Sequence, residues 1–245
     1  MLGTQFVVRR GAKSEAEKPF WISYADLMTA LMVLFLVVMS VALLAVTKTV
    51  NEIERQRTQR EQDIAKLLNE VQEAAGRYPG VRIDKDRNVI DFGDKAHFDL
   101  GKFSLNPDQA HLLRAFVPEV LAIARNDLGR KWLKQIVVEG FASPEGDYLY
   151  NLNLSLERSQ RVLCVLLTPP YPDERAMTPQ ELEQIRDLFL VGGYSYNSAK
   201  YDVATASYDE SRRVELRLEF LGIGETRPPT ATVPPGNFGK CALGG

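Results

Sequence analysis

The first side chain that could do chemistry is a carboxylate inside an apolar run. Asp26 lies within residues 20–46, which are otherwise apolar apart from four hydroxyl-bearing residues, Ser23, Tyr24, Thr29 and Ser40. An ionised Asp in hydrocarbon costs on the order of 3 kcal/mol on insertion scales, so it must be protonated, paired or directed at a partner's polar groove. Asp26 is therefore predicted to carry an ion or a proton. The alternative is a structural Asp that hydrogen-bonds with Ser23 and Tyr24 at the end of the span.

The remaining reactive side chains indicate no catalytic site. His97 and His111 have no Cys or Asp partners at metal spacing, so no zinc site is predicted. No nucleophile with a base and no Gly-rich phosphate loop occurs. We expect a protein that is not an enzyme and that needs no cofactor.

The two cysteines leave two interpretations open. Cys164 and Cys241 could form one disulfide if both are exported. Cys164 could instead be a buried small hydrophobe within the apolar run 162–167.

The apolar run 20–46 is long enough to cross a hydrocarbon core with some tilt. The arm before it, residues 1–19, has more basic than acidic side chains, which predicts a cytoplasmic N-terminus and an exported remainder. The run is too long and too internal for a secretory signal, so an uncleaved anchor is predicted. The net charge of −2 and the absence of a basic patch indicate no nucleic-acid partner.

The segment 47–80 is charged but has apolar residues largely on one helical face, which predicts a helix that continues from the membrane. Its spacing from Arg60 to Ala74 would suit a short coiled coil between two copies, and a solvated connecting helix is the equal alternative. Gly76, Pro79 and Gly80 are predicted to end it and to mark a domain boundary.

Residues 81–223 are predicted to form an α+β domain of helices packed on a mixed sheet. The tail 224–245, rich in Pro and Gly, should be extended or disordered unless Cys241 fixes it. The predicted elements of the domain are a hairpin of strands 81–83 and 88–92, a helix opened by Asn106 and Pro107, a strand 135–140, a helix from Leu154 or Ser155 to Leu167, an inserted helix after Thr178 and a last strand 214–220.

Residues 20–32, FWISYADLMTALM, resemble the transmembrane signature of the flagellar MotB family of stator subunits. In that family the Asp carries the proton or sodium ion that drives the motor. The resemblance implies that Asp26 carries the ion, H⁺ in preference to Na⁺ because Tyr24 resembles proton-type members. It also implies that 47–80 acts as a plug before assembly.

The soluble part resembles the OmpA-like peptidoglycan-binding domain, so the overall architecture expected is one transmembrane helix, a helical linker and an OmpA-like α/β sandwich. The closing pattern of that family is matched by Arg212 and Arg213 before the last strand. The family motif falls on Gly140, Ser143, Gly146, Tyr150, Asn151, Leu154, Ser155 and Arg158.

One motif position departs from the family. OmpA-like domains bind the ammonium of the diaminopimelate stem peptide with an Asp, and here that position is Ser143. A hydroxyl cannot form the charge-assisted bond that a carboxylate forms. Peptidoglycan binding is therefore expected to be weaker or differently arranged, with Glu145 and Asp147 as nearby acids that could substitute.

The resemblance assigns peptidoglycan binding to Ser143, Tyr150, Asn151, Leu154 and Arg158. Arg158 is the strongest of them because a planar guanidinium can bind a carboxylate with two hydrogen bonds. The alternative is a surface arginine paired with Glu157 or Glu145. Asn151 could contact the peptide or cap the helix expected near Leu154, and Tyr150 is expected to pack and not to bind.

The resemblance further implies a homodimer anchored to peptidoglycan, whose spans stand inside a ring of MotA-like channel subunits, five around two copies. Alternate loading of the two Asp26 carboxylates would step the ring around. Ser143, the inserted helix and the tail favour the MotB-like subunits of the Zorya anti-phage defence systems, the ZorB family, with ZorA-type partners. A flagellar stator and a passive envelope anchor are the alternatives.

Overall fold

The computed structural model describes residues 18–170, 172, 174–227, 236 and 238–243. The predicted cytoplasmic arm lies almost wholly outside these residues, and the tail 224–245 is described only in part. The chain divides into two compact units, residues 1–56 and 57–245.

The first helix, α1, extends from Lys18 to Ala75 and contributes to both units. Within the first unit, residues 21–56 are all exposed, and the most apolar window has a mean hydropathy of 2.8. Among the described residues, α1 is the one helix that is long and apolar enough to cross a membrane. The helix ends at Ala75, directly before the predicted breaker Gly76.

The second unit holds the predicted α+β domain. Two short 3-10 turns, Gly93–Ala96 and Asp209–Ser211, complete it. The further elements in chain order are β1 (Arg82–Asp84), β2 (Val89–Asp91), α2 (Pro107–Arg125), α3 (Asp127–Trp132), β3 (Leu133–Gly140), α4 (Tyr148–Leu167), α5 (Pro179–Leu188), β4 (Phe189–Gly193) and β5 (Val214–Phe220).

The five strands form one mixed sheet in the order β1-β2-β5-β3-β4. Strand β5 lies between β2 and β3 and is antiparallel to both, whereas β3 and β4 are parallel. The predicted hairpin is confirmed, with Asn88 in a left-handed conformation (φ 55°) at its turn. The last strand in sequence is therefore a central strand that unites the sheet.

One face of the sheet packs against helices. Alternate residues of β3 and β5, such as Ile136 and Leu216, are fully buried in a core that also contains Leu121 of α2 and Val162 of α4. Capping boxes at Asn106 and Thr178 begin α2 and α5, as the sequence predicted.

The apolar face near the end of α1 belongs to this same core. Leu67, Val71 and Ala74 are at most 4% exposed and pack against the domain of their own chain. Both interpretations of this face, a coiled coil and a solvated helix, are therefore wrong for residues 64–75. Burial of apolar surface inside one chain satisfies the hydrophobic pattern without a second copy.

Three elements differ from the predictions. Helix α4 begins at Tyr148, six residues before Leu154, because Asp147 is its N-cap and its backbone carbonyl accepts the N–H of Asn151 at 3.0 Å. Strand β4 was not predicted, because its pairing with β3 decides its conformation. The short helix α3 was also not predicted.

Candidate functional site

The first candidate site is Asp26 on the exposed apolar part of α1. Its carboxylate has no hydrogen bond or ion pair among the residues that the structure describes. The hydrogen bond to the Tyr24 hydroxyl, which a structural Asp would make, is therefore not formed. Asp26 lies at one end of a shallow groove on one face of the helix, which is also lined by Thr29, Ala30, Val33 and Val37. Within the part of the chain that the structure describes, the single chain thus offers an acidic group without a partner.

The hydroxyls that follow Asp26 are used within the helix. Thr29 donates to the carbonyl of Ala25, and Ser40 donates to that of Leu36 at 2.7 Å. Such bonds satisfy a hydroxyl in an apolar medium. Asp26 therefore differs from Thr29 and Ser40, whose hydroxyls are hydrogen-bonded within the helix, because its carboxylate has no partner among the described residues.

The second candidate site lies where β3 ends and α4 passes over it. A Cβ on Gly140 would lie 1.9 Å from the carbonyl oxygen of Ser155, so only glycine allows this approach of strand and helix. The Ser155 hydroxyl in turn accepts the backbone N–H of Ser195 at 2.9 Å. These contacts fix α4 against the ends of β3 and β4, and thereby fix Arg158.

Arg158 is fully buried, and its three described hydrogen bonds all go to backbone carbonyls. The guanidinium donates to the carbonyls of Lys102 (2.9 Å), Phe141 (2.8 Å) and Asp99 (3.1 Å). Its Cζ lies 5.0 Å from the centre of the Phe98 ring. Burial lowers the pKa of Arg158 to about 10, and the charge of Arg212 acts in the same direction. The alternative of a surface arginine paired with an acidic neighbour on the helix or the preceding loop is wrong.

The other motif residues surround this arginine with different exposures. Asn151 is 2% exposed and donates to the carbonyl of Glu145 at 2.9 Å, so it holds the preceding loop and does not cap the helix. Tyr150 is 54% exposed, which corrects the expectation that it packs. Leu154 is buried in the domain.

Ser143 has the position of the family's Asp but supplies no charge. It is 3% exposed, and its hydroxyl has no hydrogen-bond partner among the described residues. Glu145 and Asp147, which flank Gly146 (φ 93°), are exposed on the same loop and form no ion pair in the described part of the chain. Arg212, which is paired with Asp209 at 2.7 Å, adds a second positive charge near the buried Arg158 guanidinium, a setting that favours an anionic ligand.

The sequence did not identify the segment that contacts Arg158. Asp99 and Lys102 precede it by 59 and 56 residues and contribute only backbone carbonyls, which have no sequence signature. The two arginines that precede the last strand have structural contacts near the site. Arg212 donates to the carbonyl of Phe98, and the Cζ of Arg213 lies 4.2 Å from the centre of the Phe141 ring. Both arginines support the walls of the site.

The cysteines are joined, since Cys164 of α4 forms a disulfide with Cys241. Beside it, Arg161 donates to the carbonyl of Leu243 at 3.1 Å. The described end of the tail is thus attached to α4. Among the described residues, no group of three or more His, Cys, Asp or Glu side chains could hold a metal ion.

An exposed apolar helix with one carboxylate, followed by an α+β domain with a mixed sheet, is the arrangement expected of a MotB-like protein. Residues 8–52 match the family described as membrane MotB of the proton-channel complex MotA/MotB. Over 228 residues the chain is 45% identical to the Zorya protein ZorB of Escherichia coli O139:H28 (strain E24377A / ETEC), covering 93% of this chain and 91% of the relative. The chain therefore belongs to the ZorB family.

Solved structures resemble the second unit only weakly. The periplasmic domain of Helicobacter pylori MotB is 13% identical with a TM-score of 0.37, covering 54% of this chain and 73% of that one. The cell wall anchor of the type VI secretion system from Pseudomonas aeruginosa is 21% identical with a TM-score of 0.35, covering 64% and 96%. Membership of the ZorB family rests on the 45% identity to the Escherichia coli protein.

Proposed function

We propose that this chain is the ion-carrying subunit of an anti-phage defence motor of the Zorya type, anchored to peptidoglycan and driven by protons that bind to Asp26. The observation that carries the proposal is Asp26 itself, an exposed carboxylate on an apolar helix, without an internal partner among the described residues. Similarity to ZorB over 93% of the chain supports the defence role.

In this proposal the partners of Asp26 come from other chains. Two copies of this subunit stand inside five ZorA-type, MotA-like channel subunits, with the N-terminus in the cytoplasm and the domain in the periplasm. Protonation removes the charge of each Asp26 in turn and changes the contacts that its helix can make. A charge that crosses the membrane potential is worth about 2.3 kcal/mol per 100 mV, enough to bias such a step.

The experiment compares wild type with Asp26→Asn in a host that carries the neighbouring genes, at equal protein level. Ser40→Ala is the matched control, because it removes a polar group of the same helix that is satisfied by Leu36. We expect Asp26→Asn to lose phage resistance with swimming unaffected, and Ser40→Ala to retain both. Lost swimming would assign a flagellar stator, and unchanged resistance would favour a passive anchor.

The coupling ion is tested separately. Proton uptake by vesicles that contain this subunit and its channel partner should be visible with a pH-sensitive dye, and it should vanish in Asp26→Asn. Uptake that requires sodium and is unaffected by a protonophore would assign Na⁺ instead.

We further propose that the domain binds the peptidoglycan stem peptide through Arg158, with Asn151 and Tyr150 beside it. The buried positive charge of Arg158 supports a carboxylate ligand, and the partly buried Arg212, which is paired with Asp209, is near enough to lower the pKa of Arg158. Cosedimentation of the full chain with purified sacculi should fall in Arg158→Ala and in Tyr150→Ala, the second of which changes an exposed residue and should fold.

The control for sacculus binding is Arg77→Ala, because Arg77 forms an exposed pair with Glu119. This variant also removes one arginine, so it corrects for a general loss of positive charge. Sedimentation equal to wild type in both test variants would contradict the site at Arg158.

A further inference from the structure

Residues 99–103 lie over Arg158, and we call this segment the covering loop. Its last residue, Phe103, is in contact with Arg161 of α4. We propose that Arg161 and the tail attached through Cys164–Cys241 form a strap that keeps the covering loop closed, so that they set how often Arg158 becomes accessible. The inference rests on the proposed peptidoglycan binding, because it names the elements that control access to that same site.

The need for opening follows from the hydrogen bonds of Arg158. Its three described acceptors are carbonyls, and two of them, those of Asp99 and Lys102, belong to the covering loop. A ligand carboxylate can reach the guanidinium only if these bonds are exchanged for bonds to the ligand. Because Arg158 has no exposed surface, the covering loop must move first.

Arg161 connects the covering loop with the tail. It follows Arg158 by three residues on α4, so the two side chains are neighbours on the helix surface. The Cζ of Arg161 lies 5.5 Å from the centre of the Phe103 ring at the end of the covering loop. Its Nη2 donates to the carbonyl of Leu243, and its Nη1 lies 4.0 Å from Cys241 Sγ.

The disulfide stabilises the contact between Arg161 and the tail. Cys164 lies three residues after Arg161 on α4, and its bond to Cys241 keeps the end of the tail beside Arg161 although 77 residues separate the two cysteines in sequence. Without that bond, the tail would have to find Arg161 from a large ensemble of conformations. The strap thus consists of Arg161, Cys164, Cys241 and Leu243.

Apart from the hydrogen bonds that Arg158 itself makes to the covering loop, the other described restraints on this loop are weaker. The Lys102–Asp99 pair lies within it and is exposed, so solvent screens it. The Tyr150 hydroxyl lies near Gly101, 3.4 Å from where a Cβ of that residue would be, and no hydrogen bond joins the two residues in the described part of the chain. Loss of the strap should therefore open the covering loop without unfolding the sheet.

The test is hydrogen-exchange mass spectrometry of the full chain in detergent. The reporter is the peptide that contains Lys102, whose N–H donates to the Asp99 carbonyl at 3.1 Å, and the internal control is the peptide that contains Val138 in β3. We expect Arg161→Ala and the double variant Cys164→Ala/Cys241→Ala to exchange about fivefold to tenfold faster at the reporter, with β3 unchanged. Arg161→Lys, which keeps a cation near Phe103, should lie closer to wild type.

The association rate of a soluble muropeptide with a stem peptide should rise in the same two variants by a similar factor. Reporter exchange equal to wild type would overturn the strap, and so would a rise shared equally with β3, which would indicate global destabilisation. If even the wild type binds no muropeptide, the binding proposal fails, and the exchange data still decide whether the strap holds the covering loop.

Discussion

Helix α1 carries two aspartates in opposite circumstances. Asp63 is 4% exposed and accepts hydrogen bonds from Trp132 (2.9 Å), Lys131 (2.9 Å) and Gln59 (2.8 Å). These bonds lower the pKa of Asp63 to about 2. Asp26 is exposed on the same helix with no such partner among the described residues. One carboxylate is therefore satisfied within its own chain, whereas the other has no partner among the described residues, as the proposed ion-carrying role requires.

Arg158 combines features of both aspartates. Like Asp63 it is buried and satisfied within the chain, yet two of its acceptors are carbonyls of a loop that we propose can open. A site of this kind is stable while closed and binds only after opening. The two proposed functional groups thus need different events: Asp26 needs partner subunits, and Arg158 needs a local opening.

The largest expected effect on stability tests how rigidly Arg158 is positioned. Gly140→Ala would place a Cβ against the Ser155 carbonyl and force α4 away from β3. We expect a loss of about 3 kcal/mol or more in the free energy of unfolding, together with lost sacculus binding. Gly222→Ala is the control, since its Cβ would meet only the flexible Glu225 side chain at 3.4 Å. Near-equal denaturant midpoints for the two variants would show that the contact of strand and helix is loose.

The next effect tests the contrast between the aspartates directly. Asp63→Asn should destabilise the domain by about 2 kcal/mol, because the amide loses the charge that Lys131 and Trp132 bind. Asp26→Asn should leave domain unfolding unchanged. Urea titration of the full chain, followed by the fluorescence of Trp132, measures both. Equal destabilisation by the two variants would mean that Asp26 and Asp63 contribute alike to the stability of the fold.

The pH dependence sharpens the same contrast. The pKa of Asp63 is about 2 in the folded chain against an ordinary 3.8, so the carboxylate contributes stability that is fully present above pH 3.8 and is lost as the pH falls through 2. The difference in free energy of unfolding between wild type and Asp63→Asn should therefore shrink by about 2 kcal/mol as the pH falls from about 5 to about 2. A difference that stays constant over this range would mean that ionisation of Asp63 contributes nothing.

The smallest expected effect concerns ligand choice at the second site. Ser143→Asp adds the acid that the family uses for the ammonium of diaminopimelate. Binding of a stem peptide should tighten about fivefold to tenfold, and acetylation of its ammonium should cancel the gain. Ser143→Asn is the matched control without charge. Tightening that survives acetylation would mean that the introduced carboxylate acts on the protein alone.

Much of the fold follows from local signals in the sequence. Capping chemistry at Asn106 and Thr178 set the starts of α2 and α5, and alternation in 214–220 set the bounds of β5. Strand β4 escaped prediction because its conformation depends on pairing with β3, and the start of α4 escaped because exposed apolar residues such as Leu149 hide the helical period. The same limit applies to the site: Arg158 was identified, but its carbonyl acceptors were not.

Local signals in the sequence are enough to predict the apolar helix with Asp26, the order of most elements and the motif that ends in Arg158, because helix caps, hydrophobic period and side-chain charge act over a few residues. The packing of residues 64–75 in the domain core, the bond between Cys164 and Cys241, and the burial of Arg158 beneath a loop become visible only in the folded domain. Those contacts join residues far apart in the chain, and they depend on which surfaces meet when the whole domain buries its apolar groups.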